Sequence, residues 1–190
     1  STLILVLLVL SAVAWQLGRA RAVRVAGGPR RKRELHSMPS YYGLLTAIWC
    51  GLPALAVVVG WHLLDDHIIQ GLVVGAMPAE VQALEPGRLS LVINDVRNVI
   101  AGNVGADAVA PAVAVAAATW SRYESLSRLG ATGLAFAVAL AGGWFTLRRI
   151  TPALRARNQV ERVIERVLMG CSLIAILTTI GIVLSVLWES

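Results

Sequence analysis

The sequence predicts an all-α membrane protein with four transmembrane helices and an extracytoplasmic helical segment between helices 2 and 3. Three observations carry the prediction. The chain of 190 residues is 57% hydrophobic and 15% charged, where a soluble domain runs at about 45–50% and about 25%. Four long runs contain no Asp, Glu, Lys or Arg. The basic residues fall into two clusters, with most of the acids between them.

A crossing helix needs roughly 20 mostly apolar residues, within a range of about 17–25. The first run, 3–17, is followed by Arg19, Arg21 and Arg24 and preceded by no base. A secretory signal has the opposite polarity, so the run reads as an anchor whose N-terminus faces outward. Residues 18–40 form a basic inner loop that includes Arg30, Arg31, Lys32 and Arg33. Seven of the 17 bases lie in Arg19–Arg33 and six in Arg148–Arg166. Lysine and arginine are retained in cytoplasmic loops, so both zones are inner. The second run, 41–64, opens on Tyr41 and Tyr42, whose rings suit a half-wet interface.

Segment 65–128 is then left outside, with Asp65, Asp66, Glu80, Glu85, Asp95, Asp107 and Glu124. Met77-Pro78 followed by Glu80 reads as a helix start. Leu89, Val92, Val96, Val99 and Ile100 recur at three- and four-residue steps, the mark of an amphipathic helix that ends near Gly102. A second outer helix is expected to begin near Pro111. Run 108–119 is too short to span and leaves room for a shallow re-entrant piece. The third crossing is 129–147. In the inner linker 148–166, Val160, Val163, Ile164 and Val167 share one helical face and Arg157 and Glu161 are four apart. That predicts an inner interfacial helix over 157–167, turning the chain before the fourth crossing at 167–188. The organisation is therefore 1–64, 65–128 and 129–190.

A net charge of +6 and a pI of about 10.3 would suggest nucleic acid on a soluble protein. Here the membrane crossings account for the basic loops, and no nucleic-acid partner is expected. Arg30, Arg31, Lys32, Arg33, Arg148 and Arg149 are assigned to topology and lipid contact, worth about 1 kcal/mol per base near an anionic surface. No cofactor is implied. The sequence has no GxGxxG, P-loop or serine elbow, and the charge-free runs hold no proton relay. His62 and His67 flank Asp65 and Asp66, a weak metal grouping that reads more simply as a solvated helix end. Cys50 and Cys171 lie in apolar runs and read as packing residues. Arg88 and Arg97 are candidate anion contacts, with local pairing to Glu85 and Asp95 the simpler account. Gly130, Gly133, Gly142 and Gly143 mark the third helix as the candidate for the tightest helix contact.

Three stretches, "LHSMPSYYGLLTAIWCGLPAL" (35–55), "ATWSRYESLSRLG" (118–130) and "RVIERVLMGCSLIAILTTIGIVLSVLWES" (162–190), together resemble the N-terminal region of the long form of the Pst phosphate ABC transporter permease, C-type subunit. The resemblance implies a subunit of a phosphate importer in a bacterial inner membrane. It also implies partners: a second permease subunit, two ATP-binding subunits that hydrolyse the nucleotide, and an external phosphate-binding protein. In that family the last run would be the first core helix, preceded by an interfacial elbow. The EAA–Gly loop that engages the ATPase in such permeases has no match in these residues. The resemblance therefore implies a membrane module without the transport core, serving assembly, docking or regulation, and assigns no phosphate-binding residue. The alternative is a membrane sensor or scaffold with an extracytoplasmic helical input. A membrane enzyme is disfavoured by the missing catalytic constellation.

Overall fold

A computed structural model describes residues 2–28 and 35–189. Those residues form helices and connecting turns, with no strand among them. In chain order the helices are α1 (Thr2–Val25), α2 (Pro39–Ala76), α3 (Ala79–Gln82), α4 (Pro86–Ile100), α5 (Pro111–Arg149) and α6 (Ala156–Glu189), with a 3-10 turn at Ala106–Ala108. Four of them, α1, α2, α5 and α6, are long and apolar enough to cross a membrane. The helices outrun the charge-free runs. At 1.5 Å per residue, the 38 residues of α2 extend about 57 Å against a hydrocarbon thickness of about 30 Å.

The chain divides into two compact units. The first comprises Ser1–Pro53 and Val138–Ser190. Its core gathers Ala22, Ala26, Leu35, Tyr42, Leu45, Ile150, Ala156 and Val160. Small residues let the helix backbones meet there, as they do in membranes. A Cβ on Gly43 of α2 would sit 2.6 Å from the Trp15 carbonyl oxygen of α1. Pro53 lies inside α2; lacking an N–H, it cannot bond the carbonyl four residues earlier, which is that of Trp49. A Cβ on Gly142 of α5 would collide with that same carbonyl oxygen. Gly142 thus lets α5 close against the carbonyl that the proline leaves unpaired within its helix. Gly130 and Gly133 make no such approach: the first has only ordinary contact with Trp61 and the second faces open space.

The start of α6 is held by residues far away in sequence. The Arg157 N–H donates to Ser37 Oγ at 3.3 Å. The His36 N–H donates to the Pro152 carbonyl at 3.1 Å. The Tyr42 hydroxyl donates to the Leu154 carbonyl at 2.8 Å. Beyond Val160 no residue of α6 is buried. The expected turn at residue 167 is absent: 157–167 and 167–188 belong to one unbroken helix. The reason is local. No proline lies between Ala156 and Glu189, and Arg157 Nε reaches Glu161 at 2.7 Å along the helix, so nothing interrupts the backbone ladder. Cys171, read as a packing residue, is exposed on this helix, whereas Cys50 is buried.

The second unit is Ala54–Ala137. α4 lies against the C-terminal part of α2 and the first turns of α5. The core is Ile69, Val73, Met77, Val96, Val113, Ala116, Ala117 and Trp120. The end of α2 is capped by Gln82, whose amide donates to the carbonyls of Met77 at 2.7 Å and Gly75 at 3.1 Å. α4 stops where Gly102 adopts φ +74°; the Asn103 N–H then reaches the Asn98 carbonyl and the Gly102 N–H that of Val99, both at 3.0 Å, a Schellman closure. The two helices expected within 65–128 are thus present, as α4 and the first part of α5. The one starting at Pro111 does not end before the third crossing but continues through it to Arg149. Most of run 108–119, from Pro111 on, is the start of that continuous helix rather than a separate piece.

Candidate functional site

Three of the bases described toward the ends of α1 and α5 share a construction. Arg19 lies over the Trp15 ring, 5.6 Å from its centroid. Arg148 lies over Trp144 at 4.5 Å and Arg149 over Phe145 at 4.2 Å. In each pair the arginine follows the aromatic residue by four, so both project from one helix face. A guanidinium over a ring face gains about 0.5–1 kcal/mol at exposed sites. The pattern suits a boundary where the ring meets lipid and the charge meets water. The repeated aromatic-x-x-x-Arg spacing is present in the sequence. Arg30, Arg31, Lys32 and Arg33 lie outside the described residues.

Tyr42, expected in the half-wet interface, is instead fully buried. Burial of a phenol is tolerable because its hydroxyl has the Leu154 carbonyl as acceptor. Tyr41 packs half-buried on the same cluster.

In the second unit, Arg88 and Arg97 do not converge. They are nine positions apart on α4, which is about two and a half turns, so they point to opposite sides. Arg97 lies over the buried Trp120 ring at 5.7 Å, while Arg88 is exposed. Neither has an ion pair with a described carboxylate; the two such pairs are Arg128–Glu124 and Arg157–Glu161. The local pairing expected with Glu85 and Asp95 does not form, and an aromatic face takes that place for Arg97. No group of three metal-ligating side chains occurs among the described residues. Asp65 instead accepts a hydrogen bond from the Ser127 hydroxyl. Ser127 in turn accepts one from Trp61 Nε1 at 2.8 Å. This relay ties α2 to α5 within the unit. An open cleft of about 480 Å³ also lies in this unit, lined by Val73, Met77, Pro78, Pro111, Val115 and Thr119 among others. Its walls are mostly apolar and no titratable side chain lines it.

The geometry offers four helices long and apolar enough to cross a membrane, arginines stacked on aromatic rings toward helix ends and an apolar helical unit. A family model described as phosphate ATP-binding cassette transporter matches residues 4–178. The chain belongs to that family. The resemblance read from the three quoted stretches is borne out, and the first two lie wholly within the matched region. No curated protein and no solved structure matches the chain. As a phosphate ABC transporter chain with four membrane-capable helices, it is a membrane component of a transporter, and its family implies partner subunits.

Proposed function

We propose that residues 1–190 form an N-terminal membrane module of a phosphate importer permease in a bacterial inner membrane. It supports uptake through assembly, docking or regulation, while separate subunits hydrolyse ATP. The family match over residues 4–178 carries this reading. In this proposal the N-terminus faces outward, both basic zones face the cytoplasm, and segment 65–128 faces the external phosphate-binding protein. The second permease subunit and the ATP-binding subunits are the membrane and cytoplasmic partners. Arg88, exposed on α4, is a base available there for an anionic contact. The mixed helical surface of the second unit, with its apolar cleft, is the kind of face a docking protein covers.

The test is co-purification in mild detergent from cells grown at low phosphate. Recovery of the partner permease and ATP-binding subunits with the tagged chain is expected. Their consistent absence, with the chain itself intact and monodisperse, removes the proposal. Orientation is read separately by labelling single cysteines placed in 65–128, in a background without Cys50 and Cys171. Reagents added outside should reach them; labelling from the cytoplasmic side alone inverts the topology.

A further inference from the structure

We propose that the groove between the C-terminal ends of α1 and α5 holds the phosphate headgroup of an anionic phospholipid. The site does not depend on the transport role; only its assignment to the inner leaflet rests on the orientation proposed above. The cavity is about 330 Å³ and is lined by Leu17, Arg21 and Arg24 from α1 and by Trp144, Leu147 and Arg148 from α5. Each set repeats at steps of three or four, so each forms one stripe on its helix. The two stripes have the same polarity. Leu17, Trp144 and Leu147 belong to the charge-free runs, and the guanidiniums follow toward the helix ends.

Three positive charges therefore meet over an apolar floor. α1 contains no Asp or Glu, and α5 has none after Glu124, so the two helices supply no counter-ion of their own. Arg148 is already oriented by the Trp144 ring at 4.5 Å, and a planar guanidinium matches phosphate oxygens two at a time. Complementing the helix C-terminal dipoles accounts for Arg24 and Arg148, which lie in the last turns, but not for Arg21, because that effect fades within the last turn. A free phosphate ion has the same headgroup chemistry, but it gains nothing from Leu17, Leu147 and the indole. A lipid uses both halves of the groove, and basic pockets between membrane helices take such headgroups.

The experiment reconstitutes the full chain in nanodiscs of phosphatidylcholine with a fraction of phosphatidylglycerol, one or the other lipid carrying brominated acyl chains. Tryptophan quenching is the readout. Brominated phosphatidylglycerol should quench about twofold more than brominated phosphatidylcholine at equal fraction, as a lipid retained by basic side chains would. The excess should vanish in Arg21→Gln/Arg24→Gln/Arg148→Gln. It should persist in Arg155→Gln/Arg157→Gln/Arg162→Gln, which removes equal charge elsewhere. Trp144→Phe keeps the charges and should abolish most of the excess, which tests the site even if the triple variant fails to insert. Excess inorganic phosphate should leave the signal unchanged. Equal quenching by both lipids, survival of the excess in Trp144→Phe, or its loss in the control triple overturns the proposal. Cancellation by inorganic phosphate overturns the lipid assignment in favour of a free anion.

Discussion

At the scale of single residues, two atoms govern how the first unit closes. The Tyr42 hydroxyl is one. It is buried and donates to the Leu154 carbonyl 2.8 Å away. Tyr42→Phe removes that bond, leaving the carbonyl only the Ala156 N–H at 2.9 Å, and the cost of one such bond is about 0.5–1.5 kcal/mol. A lower midpoint in thermal unfolding of the detergent-solubilised chain is expected; an unchanged midpoint denies the bond its role. The Trp49 carbonyl is the other. Gly142→Val drives a side chain into it, and overpacking of this kind costs about 1–3 kcal/mol. Gly133→Val, in open space, should leave the same midpoint within error. These two glycines are nine apart on one helix and identical as letters. The sequence marks a glycine-rich helix but does not say which glycine faces a neighbour, because that depends on the rotation of α5 about its axis. Pro53 was the available clue, since it exposes a carbonyl at a calculable position on α2.

At the scale of elements, most helix starts were legible and most helix ends were not. Pro111 opens α5 and Pro86 lies at the first position of α4, as expected of a residue whose missing N–H costs nothing in a first turn. The stripe from Leu89 to Ile100 correctly marked α4, with Ile93 and Val96 buried. The ends misled because charge was read as a stop. Asp65 and Asp66 mark where apolar character lapses, yet α2 continues to Ala76. Arg122, Glu124 and Arg128 do not interrupt α5 either. A membrane boundary is a change of solvent; a helix ends only where its backbone hydrogen bonds do. The same distinction governs α6. Spin labels at Gln159 and Thr179, twenty residues apart, should be separated by about 30 Å along a continuous helix. A distribution centred far shorter restores the turn at residue 167.

At the scale of the whole molecule, the question is which way the chain lies across the bilayer. The two basic zones agree on one arrangement, and retained charge is what selects it. Replacing Arg30, Arg31, Lys32 and Arg33 together with glutamine should produce a mixed population, read as cysteines in 65–128 labelling from both sides. A population as uniform as the parent assigns orientation control to Arg19, Arg21, Arg24 and the second zone. The membrane class was legible from composition alone, and the transporter family from three short stretches. The candidate lipid groove was not, because its two stripes lie more than a hundred residues apart and only the packing of α1 beside α5 joins them.

The mounting of α6 has a mechanical corollary. The helix is held at its start by the Ser37 hydroxyl and by the burial of Ala156 and Val160, and Val163, Arg166 and Val167 still line a cavity with Ile48, Trp49, Leu52 and Pro53 of α2; residues 171–189 are all exposed. Such a beam is a lever. From Cys171 to Glu189 the exposed part measures about 27 Å, so a pivot of about 10° at its base sweeps the far tip through about 5 Å.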